Sequence, residues 1–226
     1  FSTGAAAGGV RNPDGSVVMM ASPVATGGLA FDGRNRVIAA SVGALHRRLG
    51  PLRRIDLASG SVETLVAGLE GRELAASNCP VVARDGIIYC SHTGWSVGNI
   101  GTTKAEGFIY AVMPSGAVRI VARGLRGVNG LCLDARGDRL FAALTAEGRI
   151  VSWRRRSDGS LSGRQSYGPR LGVVVPDQTA AEIRSLGPTA RAETGYCDGM
   201  VFDAAGNMFV TLPFANRIVV IDPRGG

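Results

Sequence analysis

Lysine is almost missing from this chain. Lys104 stands alone, and arginine supplies the remaining basic residues. The net charge of +7 raises an anionic partner such as nucleic acid. The distribution argues against it. Most arginines stand singly or in turns, as Arg34, Arg36, Arg84, Arg136 and Arg139 do. Only Arg47-Arg48, Arg53-Arg54 and Arg154-Arg155-Arg156 cluster, and no aromatic residue is interleaved with them to stack on bases. No nucleic-acid partner is expected. Cysteine is scarce as well. Cys79, Cys90, Cys132 and Cys197 form neither a CxxC pair nor any zinc-like spacing. Cys90 and Cys132 lie in apolar runs and read as small buried hydrophobes. Long helical periodicity is lacking, which argues against an all-helical or coiled-coil protein. No membrane span is read, so no membrane partner is expected. No leader is read either, and the chain opens at Phe1, so neither a cytoplasmic nor a periplasmic residence is chosen.

Glycine, by contrast, is abundant at 33 of 226 residues. Gly195 to Asp222 shows how it is used. Met200 to Phe202 and Met208 to Leu212 are short apolar runs split by Asp203-Ala-Ala-Gly206-Asn207, a turn whose Gly and Asn suit positive φ. Phe214-Ala-Asn-Arg217 is a second turn, and Ile218 to Ile221 a third, β-branched run. Asp198 sits at the head of this unit, between Cys197 and Gly199.

The unit recurs. Asn129 to Val151 repeats it with one gap, Asn78 to Ser91 is another copy, and Gly27 to Ser41 another. The heads at Gly27, Asn78, Asn129 and Asp198 are separated by 51, 51 and 69 residues, so the last interval carries an insertion, Gly168 to Thr194. A period near 50 with several strands per repeat is that of an all-β propeller, one blade per repeat. The heads of successive blades then ring the axis at one end. Asn78, Asn129 and Asp198 would converge there as three oxygen-bearing side chains, suited to a hard divalent cation. Each Asn-Gly or Asp-Gly pair taken alone is equally a common turn.

These motifs resemble the senescence-marker-protein, gluconolactonase and luciferin-regenerating-enzyme family of six-bladed propellers. Val128-Asn129-Gly130-Leu131 is similar to its Pro-Asn-Gly-Leu, Cys197-Asp198-Gly199-Met200 to its Pro-Asp-Gly-Met/Leu, and Glu106-Gly107-Phe-Ile-Tyr110 to its Gly-Gly-Ile-Tyr strand. The resemblance runs from about Gly27 to Pro223. It implies one divalent metal ion on the axis, calcium first, with magnesium, manganese or zinc as alternatives. Asn129 and Asp198 would be ligands, with Asn78 beside them at metal and substrate. It also implies a hydrolase that opens a lactone, with Asp198 or a metal-bound water as the base. Trp95 and His92 would line the mouth for a small-molecule lactone or ester, or Trp95 would pack its loop onto the barrel face; Glu106 would reach a substrate hydroxyl or stand as a solvated strand-edge carboxylate.

The chain departs from the family's pattern in places. No Glu-Gly-Pro-x-Trp motif is present to supply the family's metal-binding Glu. Ala75, Ala76 and Ser77 stand where animal members place an arginine, and Cys79 replaces an acidic residue. Six blades would need about 300 residues. The chain therefore reads as one propeller domain over 1–226 with four to five blades, an incomplete first blade and no sixth. Phe1-Ser2 would end a first-blade strand. Open sheet edges would then invite self-association. Two other functions fit the repeats: a non-catalytic ligand- or protein-binding propeller, and a metal-free enzyme resembling strictosidine synthase.

Further along the chain, Asn12-Pro13-Asp14-Gly15 reads as a turn before a strand at Val17 to Ala21. His46 reads as a surface or turn residue. Ala180 to Ser185 is a short helical candidate in the insertion, which would shape the pocket as a lid or wall, or else be a surface excursion.

Overall fold

The computed structural model describes residues 7–11, 17–21 and 26–225. The expected turn at Asn12 to Gly15 and the strand end at Phe1-Ser2 lie outside the described residues. Strands β1 (Ala7–Arg11) and β2 (Val17–Ala21) pair antiparallel. Blade A follows, with β3 (Thr26–Phe31), β4 (Arg36–Ser41), β5 (Leu52–Asp56) and β6 (Val62–Val66) in that order across the sheet. A two-rung hairpin, β7 (Gly68–Leu69) and β8 (Arg72–Glu73), leads into blade B. Blade B holds β9 (Ser77–Val82), β10 (Ile88–His92), β11 (Gly107–Val112) and β12 (Val118–Leu125). Blade C holds β13 (Val128–Leu133), β14 (Arg139–Leu144), β15 (Arg149–Arg155) and β16 (Leu161–Tyr167). Blade D has β17 (Met200–Phe202), β18 (Met208–Leu212) and β19 (Arg217–Ile221). Each blade is an antiparallel meander, and the innermost strands β3, β9, β13 and β17 pack against one another in turn. The protein is a β-propeller with four described blades.

The turns inside the blades follow from the sequence repeat. An aspartate closes the inner strand and accepts backbone N–H groups from the turn that follows. Asp32 accepts from Arg34, Asp134 from Asp138 and Arg139, and Asp203 from Ala205 and Asn207. Gly137 and Gly206 take φ of +77° and +87° in two of these turns, a conformation that strains a residue carrying Cβ.

The core lies between blades. Alternate residues of a strand point to opposite faces, and a blade packed on both sides must be apolar on both. Strand β10 shows this. Tyr89 faces blade C beside Leu140 and Trp153, while Ile88 and Cys90 face blade A beside Ile38 and Leu52. In β14, Leu140 and Ala142 face blade B, while Phe141 and Ala143 face blade D beside Met208 and Val210. Each of these large side chains contributes about 1.5–3 kcal/mol by leaving water. At the two ends of the array the pattern breaks. Leu29 and Phe31 of β3 are exposed, as are Val201, Ile218 and Val220 of blade D.

The insertion between β16 and β17 forms two helices, α1 (Ala180–Ser185) and α2 (Pro188–Ala192). Thr179 and Glu182 form a reciprocal capping box that starts α1. Proline at the first position of α2 costs no hydrogen bond. The segment packs through Val174, Ile183 and Tyr196. Asp177 fastens it to blade B, accepting from Asn99 Nδ2 (3.1 Å) and from the Thr103 amide (3.1 Å) and hydroxyl (3.0 Å).

Candidate active site

The heads of the inner strands meet by close backbone approach. The Gly130 amide donates to the Asp198 carbonyl at 3.1 Å. A Cβ on Gly130 would run into that same oxygen, and one on Gly27 would run into the carbonyl of Asn78. Gly130, next to the head Asn129, and Gly27, itself a head, are glycines because the next blade's backbone passes there.

Hydroxyl side chains then tie head to head. The Cys79 amide donates to Ser91 Oγ at 3.0 Å, and Ser91 Oγ donates to the Asn129 carbonyl at 2.6 Å. Asn129 Nδ2 donates to Thr145 Oγ1 at 3.3 Å, and Thr145 Oγ1 donates to the Cys197 carbonyl at 2.6 Å. Asn78 Nδ2 donates to Thr93 Oγ1 at 2.9 Å, the equivalent contact one blade earlier. Thr211 Oγ1 receives the Gly199 amide at 2.9 Å, and the Thr211 carbonyl receives the Asp198 amide at 3.0 Å. The chain of contacts brings Asn78, Asn129 and Asp198 to one end of the propeller.

Asp198 is half-buried, and burial pushes its carboxyl above the usual carboxylate range. The polar Asn129 side chain nearby works against that rise. Among the described residues no Lys or Arg side chain makes an ion pair with it. The Asp198 charge also helps raise the Cys79 thiol, after the larger effect of the thiol's own burial. Cys79 and Cys197 pack beside the site as thiols, and all four cysteines are free.

The other sequence candidates sit elsewhere. His92 is fully buried, so it does not line a substrate mouth. Its Nε2 accepts the Ala75 and Ala76 amides at 3.1 and 3.2 Å, and its ring stacks on Phe108 at 4.4 Å. Burial holds its pKa down at about 3. Neutral and already committed, it props the loop that precedes Asn78. Trp95 lies half-buried under the Arg72 guanidinium, 3.6 Å above its ring. Trp95 and the exposed Glu106 border a separate cavity with Arg72 and Arg123, against the β7–β8 hairpin. His46 is exposed in a 3₁₀ turn.

Ser91, Thr93, Thr145 and Thr211 escape a search for metal ligands, because hydroxyls are not diagnostic. Their signal is positional: a Ser or Thr recurs 13 to 16 residues after each polar head.

The SMP-30/Gluconolactonase/LRE-like region matches residues 9–226 of the chain. The chain belongs to this family. No curated protein sequence matches it. Among solved structures it is similar to a gluconolactonase from Xanthomonas campestris (TM-score 0.65, 23% identity), with 94% of this chain aligned to 64% of that one. A luciferin-regenerating enzyme aligns with a TM-score of 0.66 at 13% identity, covering 93% of this chain and 63% of that one. A calcium-binding regucalcin from Agrobacterium tumefaciens aligns with a TM-score of 0.63 at 19% identity, covering 94% and 62%. At these identities the likeness is one of fold. The chain spans a little under two thirds of the length of these three structures.

A metal ion is implied by the family, and the donor chemistry fits one. The Asn78 and Asn129 amide nitrogens are engaged, while neither Oδ1 accepts a hydrogen bond from a described residue. Two amide oxygens and one ionisable carboxylate, set on adjacent blades, are hard donors. Among the described residues no group of three His, Cys, Asp or Glu side chains could hold a metal, so the set carries little charge.

Proposed function

We propose that this chain forms part of a hydrolase that opens lactones at the Asp198 end of the propeller axis. The observation that carries this reading is Asp198 itself: a half-buried carboxylate with a raised pKa, the Asn129 side chain beside it and no basic partner among the described residues. A carboxylate so placed is a proton acceptor poised nearer neutral pH than a surface aspartate. Family membership supports the reaction class. Asn78, Asn129 and Asp198 would hold one divalent cation, calcium first. Bound there, it would polarise the lactone carbonyl and lower the pKa of a water.

The protein's own groups set the geometry. Thr145 fixes the Asn129 amide and the Cys197-Asp198 backbone together, so two of the three donors move as one unit. Asp198 accepts the proton of the attacking water. Asn78, held by Thr93, orients the substrate from the neighbouring blade.

The test is hydrolysis of sugar lactones, dihydrocoumarin and simple γ-lactones with calcium, magnesium, manganese or zinc added in turn, and with chelator. Metal-dependent turnover of one lactone class supports the reading. Absence of turnover with every metal, in folded protein, would leave a binding propeller.

A further inference from the structure

The end of blade C that carries Asn129 also borders a cavity of about 190 Å³. Arg126, Glu147, Arg149 and Arg170 line it, together with Val174 and Pro176 of the insertion. The position follows from the chain. Thr145, whose hydroxyl joins Asn129 to Cys197, begins the 3₁₀ turn Thr145–Glu147. Arg126 lies three residues before Asn129. The cavity and the axial heads therefore open at the same end of the propeller.

The charges are unbalanced. Glu147 is already engaged by Arg126 at 3.3 Å, with Arg164 at 3.9 Å. Neither Arg149 nor Arg170 pairs with a carboxylate among the described residues. Arg149 is half-buried, where an uncompensated guanidinium gains most from an anion. Guanidinium groups recognise carboxylate and phosphate oxygens through paired N–H donors. The wall is also fixed. Asp177 ties the insertion to Thr103, and the Gly101 amide donates to the Gln178 carbonyl at 2.9 Å.

We propose that this cavity binds a carboxylate or phosphate group, and that the group belongs to the substrate of the axial site. The first half stands on the arginines alone. The second half rests on the lactone reading and narrows it to lactones that carry an anionic substituent.

Two measurements separate the halves. Calorimetric titration with inorganic phosphate and with malonate, at low salt, tests the pocket. At least one of them binds, and Arg149→Gln and Arg170→Gln each weaken it about tenfold. Arg136→Gln, on an exposed turn, and Asp198→Asn leave it unchanged. Which anion binds tells phosphate from carboxylate. Absence of binding by either, or equal weakening by Arg136→Gln, overturns the pocket. The substrate half is read from kinetics. Arg170→Gln raises KM for an anionic lactone and leaves the neutral analogue unaffected; equal effects on both overturn it. Anion binding without any lactone turnover upholds the pocket and sinks the lactone reading.

Discussion

The Gly130 amide donates to the Asp198 carbonyl across two blades whose strands do not pair with each other. That contact needs the two backbones closer than a side chain allows. Gly130→Ala therefore separates β13 from the strand leading to Asp198. Overpacking of this kind costs about 1–3 kcal/mol. Urea unfolding measures it. The variant loses activity by more than its unfolded fraction explains, because Asn129 and Asp198 move apart.

The Asp198 carboxylate weakens the fold it serves. Its folded pKa lies above the unfolded value, chiefly through burial. The sign follows: its stabilising contribution is full below the ordinary carboxylate range and is lost as pH rises through the folded pKa. At pH 7 the wild type carries a buried charge that Asn would not. Asp198→Asn is expected to melt above wild type at pH 7, with the difference vanishing near pH 3. Thermal scans at the two pH values check this.

His92 acts with the opposite slope. Its pKa falls from 6.5 to about 3 on folding, chiefly by desolvation, with Arg72 adding to the effect. A depressed histidine is neutral in both states above pH 6.5, and folding loses stability as pH falls from there toward 3. Arg72 is the charged group that faces it, over the adjacent Trp95 ring. Between pH 6.5 and 5 the loss amounts to about 2 kcal/mol. His92→Gln, whose amide oxygen can still accept a backbone N–H, flattens that slope in urea titrations.

Thr145 has two jobs through one oxygen: it receives the Asn129 amide and donates to the Cys197 carbonyl. Thr145→Val keeps the shape and removes the oxygen. It leaves the buried carbonyl unsatisfied, at about 1–3 kcal/mol. Thr145→Ser restores both contacts. Calcium affinity, measured by calorimetry, falls in the valine variant and recovers in the serine one.

Much of this architecture was legible because it is local and repeated. The Asp-x-x-Gly turns set the register of the blades, and they fold as read at Asp134 to Gly137 and Asp203 to Gly206. Helix α1 occupies Ala180–Ser185 as expected, since Thr179 and Glu182 cap it from within the segment. The β7–β8 hairpin is hard to read from sequence because it has only two rungs and its turn pairs Gly71 with Glu70 at φ +53°, a residue without turn preference. The buried position of His92 is hidden from the sequence for a different reason. In a strand buried on both faces, alternation no longer marks the wet side. The path of residues 93–106 depends on Asp177, more than 70 positions away from Asn99 and Thr103, and no local pattern carries such a contact.

Whether Asp198 is the base is decided by kcat/KM for lactone hydrolysis in wild type and Asp198→Asn, with folding matched by circular dichroism. A loss of about 10²-fold or more is expected, the scale of a removed general base, with near-native lactone binding. Undiminished turnover in the folded variant would contradict it and move the chemistry away from the propeller axis.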